Sequence, residues 1–424
     1  MKNKILEKNN ITGREILQKK IIDMPEKPGV YRMIGIKKNV LYVGKAKNLK
    51  KRLLSYTRPN GNNNRITKMI SLIKDVEITI TETEMDALLL ELNLIKEKKP
   101  RYNIMLRDDK TFPYIFISKE HDFPRLEKHR GSRTKPGYYY GPFANTGAVN
   151  RTLNTLQKVF LLRSCTDREV EAGDRPCLNY HLKRCSGPCG SMISKEDYKE
   201  LVNDVRNFFS GKSTLIQKKL STKMQIASKN KEYETAAQYR DRISALANMT
   251  KSDTINPQFL EEADVFAISK INNKSCVQVF FFRSWRNLGN KSYFPVHLDD
   301  VSEEDILQSF IPQFYQNKPI PKLILTSHDL IEKKLLSETF SKKEKRKISI
   351  IKPQKGERQK IINHALENSK NALQRYQNNL LSNKKNLSLL QKAFELKEIP
   401  KRIEIYDNSP VSYTHLTLPT NREV

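Results

Sequence analysis

Gly29-Val-Tyr-Arg-Met-Ile34 and Val40-Leu-Tyr-Val-Gly-Lys45 decide the fold of this chain. Both runs are β-branched and aromatic, and Gly29, Gly35, Lys37 to Asn39 and Gly44 bound them as turn residues, so they read as the two strands of a small antiparallel hairpin. Opposite residues in such a pair lie within about 5 Å, which would let Tyr31 and Tyr42 meet across it and share one face. A Lys- and Arg-rich helix is expected from near Ala46, carrying Arg52 and Tyr56. Further on, Met85, Leu88, Leu89, Leu92 and Ile95 recur at helical spacing between Glu84 and Lys99, an amphipathic helix closed by Pro100. Residues 84, 88, 91 and 95 form one stripe, so Glu91 borders the packed face and can point into a cleft.

The 424 residues have room for two to four domains, each able to bury a core. Lys and Arg number 77 against 47 Asp and Glu, a net charge of +30 that favours a polyanionic partner. Nucleic acid is the first candidate and an acidic membrane surface the second. No apolar run is long enough to span a bilayer, and the polar N-terminus lacks a signal-peptide core, so the expected location is the cytoplasm.

The words Lys27-Pro-Gly-Val-Tyr31, Tyr42-Val-Gly-Lys-Ala-Lys47, Leu90-Glu-Leu-Asn-Leu-Ile95 and Pro100-Arg-Tyr-Asn103, in that order, resemble the GIY-YIG nucleases and, within them, the UvrC family of bacterial excinuclease subunits. The resemblance implies an α+β multidomain chain. It would hold a small GIY-YIG α/β nuclease domain (23–105, after a lead at 1–22), a cysteine-rich basic and aromatic region (106–193), a helical region with a UVR motif (194–255) and an incomplete RNase H-like α/β region (256–410). It implies that Glu91 binds a catalytic Mg²⁺ or Mn²⁺ and that Arg52 stabilises charge on the scissile phosphate. It also implies that Tyr31 or Tyr42 helps activate the attacking water. Tyrosine ionises only near pH 10, so Tyr42 as base would need Lys45, Arg52 and the metal to pull its pKa down. Lys45, Tyr56 and Asn103 would complete the site.

Cys165, Cys177, Cys185 and Cys189, four of five cysteines, stand in a C-x11-C-x7-C-x3-C arrangement. Disulfides are disfavoured in a reducing cytosol, so thiolate ligation of a metal is the better explanation. The CxxC knuckles of zinc fingers are missing, and four thiolates also suit an iron–sulfur cluster. The family resemblance implies a four-iron, four-sulfur cluster here, with Zn²⁺ as the alternative. Between nuclease and cysteines, Arg107, Lys110, Phe112, Tyr114 and Gly137-Tyr-Tyr-Tyr-Gly-Pro-Phe143 interleave cations with aromatics, a pattern that suits DNA backbones and unstacked bases as well as an aromatic core.

Ser194 and Asp197 cap a helix that Gly211 ends. A second helical run leads to Tyr233-Glu-Thr-Ala-Ala-Gln-Tyr-Arg-Asp-Arg-Ile243, which resembles the UVR motif by which the family docks on UvrB. Tyr233, Ala236, Ala237 and Ile243 fall on one helical face, where the small alanines would permit close helix approach, and Glu234, Arg240 and Asp241 could supply interhelical ion pairs. Strands follow at Ala263 to Ile268, Cys276 to Phe282 and Pro321 to Thr326, with a helix at Glu303 to Tyr315 and a long one at Gly356 to Glu398. Arg402-Ile-Glu-Ile-Tyr-Asp407 matches the strand carrying the first metal-binding aspartate of the family's second nuclease. Residues 411–424 depart from the family and read as a translated sequencing adapter on a truncated frame, which would strand Asp407. The resemblance thus implies incision of damaged double-stranded DNA 3′ to a lesion, after UvrA has helped load UvrB. The rival expectations are a nuclease-inactive adaptor between UvrB and DNA and a sequence-specific GIY-YIG endonuclease.

Overall fold

The structure is a computed structural model that describes residues 12–58, 64–106, 111–173, 175–251, 260–298, 301–400 and 402–404. Asp407, the 411–424 tail, Arg107 and Lys110 lie outside the described residues. Among the described residues the architecture is mixed α+β, built on three sheets.

The first unit opens with α1 (Gly13–Ile21), started by a Thr12–Glu15 capping box. Strands β1 (Gly29–Ile34), β2 (Val40–Ala46) and β3 (Asp75–Ile80) pair antiparallel in the order β2-β1-β3. The second strand runs on to Ala46, so helix α2 (Leu49–Thr57) starts three residues later than expected, where the Asn48 side chain accepts the Lys51 N–H. Alternation sorts the strand side chains between two faces. Tyr31 and Met33 pack with α1, α2 and α3 (Asn64–Ser71), whereas Val30 and Val43 pack with Ala87 and Ile95 of α4 (Glu84–Lys98).

The second unit is more regular than the sequence suggests. Strands β4 (Pro113–Ser118), β5 (Leu126–Arg130) and β6 (Gly137–Tyr140) form a sheet in the order β5-β4-β6, packed on α5 (Thr146–Phe160). Short helices α6 (Asp167–Glu171) and α7 (Leu178–His181) carry the cysteine stretch into α8 (Lys195–Phe209), α9 (Ser213–Lys229) and α10 (Tyr233–Lys251). One hydrophobic core joins Ile115, Leu156 and Phe160 to Tyr198, Phe208 and Leu246, and so runs across residue 193.

In the third unit β7 (Glu262–Ile271), β8 (Lys274–Arg283) and β9 (Arg286–Tyr293) form an antiparallel meander. After α11 (Glu303–Phe314), strand β10 (Leu323–Thr326) adds parallel to β7, and after α12 (Lys333–Glu344), β11 (Ser349–Ile351) adds parallel to β10. The sheet order is β11-β10-β7-β8-β9, with α13 (Gly356–Ala393) across one face. The core on the other face includes Leu88 and Leu92 of α4 alongside Phe310 and Phe314 of α11. The third unit is therefore seated directly against the helix that carries Glu91.

Candidate active site

The two tyrosines share a face, but on a diagonal. Register places Tyr31 opposite Gly44 and Tyr42 opposite Met33, and the two rings meet at 6.1 Å between centroids. The cause is Gly44: a Cβ there would stand 2.4 Å from the Tyr31 hydroxyl and 2.8 Å from Cε1 of Tyr42. A bare backbone at Gly44 lets the Tyr31 ring cross β2. One turn apart on α2, Arg52 and Tyr56 present the same face. Tyr31 and Tyr56 share a hydroxyl–hydroxyl hydrogen bond of 2.8 Å, Arg52 Nε donates to the Tyr31 hydroxyl at 3.4 Å, and the Arg52 guanidinium lies 5.4 Å from the Tyr56 ring centre.

The protein's own groups hold both phenols in the protonated form. Burial, then the neighbouring Tyr56 and Tyr42, push Tyr31 well above the ordinary tyrosine value, against the weaker pull of Arg52. Burial, then Tyr56 and Glu91, push Tyr42 up as well. Of the sources expected to bring Tyr42 down, Lys45, Arg52 and the metal, Arg52 does pull in that direction and is outweighed by desolvation, which disfavours a phenolate in a dry site.

Glu91, on α4, lines the same cleft of about 740 Å³ as Tyr31, Tyr42 and Arg52. Its Oε1 accepts the Lys45 backbone N–H at 3.2 Å. Burial lifts its carboxyl to about 7, against the charge and N–H of Lys45. Among the described residues no three His, Cys, Asp or Glu side chains are grouped to hold a metal ion. Glu91, the lining carboxylate beside Tyr42 and Arg52, fits Mg²⁺, which keeps several waters and takes one or two carboxylates plus phosphate oxygens.

Lys45 and Asn103 line the same cleft, each held there by further partners. Lys45 Nζ donates to Glu84 at 3.0 Å and to Glu332 at 2.7 Å, with 7% of its side chain exposed. Burial pulls its pKa down, and the bonds to Glu332 and Glu84 more than offset this. Asn103 accepts the Val43 N–H at 2.9 Å and donates to the Val43 carbonyl at 2.8 Å. Its amide thus pairs with the free edge of β2 as a neighbouring strand would, which satisfies both buried backbone groups. Asn103→Ala is expected to destabilise the fold by about 2–4 kcal/mol through two orphaned buried groups, checked by urea melts; unaltered stability would remove this role.

The sequence reading missed the third unit's share of the cleft. Gln308 and Glu332 hold each other through two hydrogen bonds, 3.1 and 3.2 Å long. Gln313 accepts the Leu106 N–H at 3.0 Å and donates to the Ile104 carbonyl at 2.9 Å. Glu84 could have been found, since it opens the stripe that contains Glu91. Glu332 lies 287 positions from Lys45 and left no local signal.

Four family profiles match in succession: the UvrC-like GIY-YIG domain at 27–104, the UvrC/Cho excinuclease middle domain at 112–208, the UvrB/uvrC motif at 215–248 and the UvrC ribonuclease H-like domain at 262–376. The chain is 49% identical over 409 residues to the UvrABC system protein C of Bartonella henselae, covering 96% of this chain and 62% of that protein. It is 47% identical over 406 residues to that of Maricaulis maris, covering 96% and 64%. This chain belongs to the UvrC family. It spans about 62% of the length of the first of these curated relatives. A solved GIY-YIG N-terminal endonuclease domain of UvrC from Thermotoga maritima, bound to magnesium as its catalytic divalent cation, is 38% identical over 20% of this chain and 94% of that one, with a TM-score of 0.19.

In this UvrC-family chain the cysteine stretch is organised by Arg163, whose fully buried guanidinium donates to the Cys165 carbonyl at 2.8 Å and pairs with Asp167. Cys185 and Cys189 are buried, and Cys165 and Cys177 half-buried. Burial raises Cys185 to about 11 and Cys165 upward too, and the four thiols lie within electrostatic reach of one another. They are not drawn into a closed ligand set. In the UVR hairpin Tyr233, Ala236, Ala237 and Arg240 line a shallow groove of about 510 Å³ with α9 residues. Glu234 is exposed. The ion pair of Arg240 is made to Asp241 on the same helix, at 2.8 Å, rather than between helices. No helix among the described residues is long and apolar enough to cross a membrane.

Proposed function

We propose that this chain is the 3′-incising endonuclease part of a nucleotide excision repair enzyme, hydrolysing a DNA phosphodiester beside a lesion. The observation that carries the reading is the convergence of Tyr31, Tyr42, Arg52, Tyr56 and Glu91 on one cleft in a chain of net charge +30. Glu91 would hold the divalent cation, Mg²⁺ or Mn²⁺, which when bound polarises the phosphate and acidifies a water. Arg52, placed beside the tyrosine hydroxyls, would meet the phosphate, whereas Lys45 is held by Glu84 and Glu332. The phenols keep their protons, so they act as hydrogen-bond donors and orienters rather than bases. Tyr31 is already tied to Tyr56 and Arg52, which leaves the Tyr42 hydroxyl to position the water.

Recruitment would run through the exposed face of Tyr233, Glu234, Ala236, Ala237, Arg240 and Asp241, docking on UvrB at a lesion that UvrA has helped it reach, in the cytoplasm. A nicking assay on lesion-containing duplex with UvrB present, with the cut side mapped, tests the whole reading. Cleavage of undamaged duplex at a fixed sequence would overturn it.

The four thiols are proposed as ligands of a four-iron, four-sulfur cluster, with Zn²⁺ as the alternative. Support comes from their mutual proximity in a stretch whose backbone Arg163 already holds; binding would require the side chains to close around the group. Protein purified without oxygen is expected to show broad visible absorption that Cys185→Ser removes. A colourless protein with bound zinc would favour the alternative.

A further inference from the structure

The Gly137-Tyr-Tyr-Tyr-Gly-Pro-Phe143 motif has no part in the nuclease cleft. It lines a second cleft of about 820 Å³, where β6, the C-terminal end of α8, α10 and the β8–β9 turn meet. Its aromatic floor includes Tyr140 stacked on Phe209, with ring centres 4.0 Å apart and planes 12° from parallel. Phe208 lies beneath the Arg286 guanidinium at 3.8 Å. Arg151 and Lys158 stand exposed on the rim. Among the described residues no acidic side chain lines the cleft. Arg283 is neutralised from below by Asp264 at 2.7 Å, whereas Arg151 and Lys158 make no ion pair among the described residues.

The turn beside this cleft is unusual. Arg283 pairs with Arg286, so the hairpin closes on two residues, Ser284 and Trp285, with φ of 49° and 60°. Such turns need φ > 0 at both positions and strongly favour Asn-Gly. A tryptophan there adopts the left-handed region against its own steric preference, and an outlier of this kind points to function. The Trp285 ring lies over Gly211, where an added Cβ would stand 2.7 Å from it, and the residue remains 39% exposed. A large aromatic presented on a strained turn, beside stacked aromatics and uncompensated cations, matches a surface that tracks unpaired strands through base stacking and phosphate contact.

We infer that this cleft and the Trp285 turn form a binding site for single-stranded DNA, with bases stacking on Trp285 and Tyr140 and phosphates held by Arg151 and Lys158. The ligand class follows from the pairing of flat apolar surface with cations. Duplex DNA offers phosphates but no exposed base faces, and an acidic peptide offers charge without rings. The site stands apart from the Glu91 cleft and does not depend on cleavage there.

Trp285 is the only tryptophan of the chain, so its emission reports on this turn alone. The whole protein, in chelator so that no strand is cut, is titrated with oligothymidylate while emission and the anisotropy of the labelled oligonucleotide are followed. Saturable quenching is expected, with affinity falling on a log–log salt plot by about 0.7 per phosphate neutralised. Arg151→Ala with Lys158→Ala, both on the exposed rim, is expected to weaken binding about tenfold or more with unchanged emission of the free protein. The inference is overturned if the oligonucleotide fails to bind, if it binds without change in emission and equally well to the double variant, or if blunt duplex or polyglutamate of matched charge competes as well as the single strand. None of these outcomes bears on nicking, so the nuclease reading stands or falls separately.

Discussion

Glu91→Gln is expected to lower divalent-dependent nicking by roughly 100- to 1000-fold or more, while UvrB and DNA binding are retained. The amide keeps the size of the side chain and an oxygen for the Lys45 N–H, so what is lost is the charge of a carboxylate within electrostatic reach of Tyr42 and Arg52. The same substitution predicts a stability signature in chelator. Folding raises this carboxyl from 4.5 to about 7, so the fold favours its protonated form. The associated stabilisation is present in full below 4.5 and is lost as pH rises through 7. Glutamine has no such loss. Glu91→Gln is therefore expected to melt close to wild type in acid and above it beyond pH 7, by at most about 3 kcal/mol of unfolding free energy. Adding Mg²⁺ should stabilise the wild type only. Paired melting curves across pH with and without Mg²⁺ check this. A variant that nicks normally would dismiss Glu91 as the metal ligand, and one less stable than wild type at every pH would show that the carboxylate is structural.

How much of this site was legible depended on the range of the interaction. The β1–β2 hairpin and α4 announce themselves through short-period patterning, and Glu91 through its place in the 84-88-91-95 stripe. The diagonal packing of Tyr31 and Tyr42 was not legible, because register decides which residue each tyrosine faces. The ionisation of the phenols was misjudged for a related reason: the cations were visible in the sequence, and the burial that outweighs them was not. Asn103 closes a motif and lines the cleft, and only the fold shows that its amide also serves the edge of β2. The second unit's sheet was hidden because its strands are short, β5 is mostly charged and β6 carries half-buried tyrosines instead of alternation. Strand β9 reads Arg-Asn-Leu-Gly-Asn-Lys-Ser-Tyr, with little apolar pattern at all. The seating of α11 and Glu332 over the cleft is tertiary and could come only from the fold.

Gly44→Ala tests the geometry that the two tyrosine motifs create. One added methyl would sit 2.4 Å from the Tyr31 hydroxyl, 2.5 Å from its Cζ and 2.8 Å from Cε1 of Tyr42, distances at which something must move. Tyr31 cannot swing away cheaply: it is fully buried, and its hydroxyl is fixed at 2.8 Å to Tyr56. Nor can β2 retreat easily, since Asn103 grips Val43 from one side and β1 pairs with it on the other. The strain therefore falls on the Tyr31–Tyr56–Arg52 cluster, and overpacking of this kind costs about 1–3 kcal/mol. A displacement of about 1 Å in a positioning group can cost about 100-fold in rate. Gly44→Ala is accordingly expected to lower the urea midpoint modestly and nicking severely, with the rate defect exceeding anything the unfolded fraction explains. Tyr31→Phe in the Gly44→Ala background removes the hydroxyl that the methyl meets first, and should recover part of the lost stability but none of the activity. If Gly44→Ala matches wild type in both measurements, the close crossing of Tyr31 over β2 is not what the glycine is for.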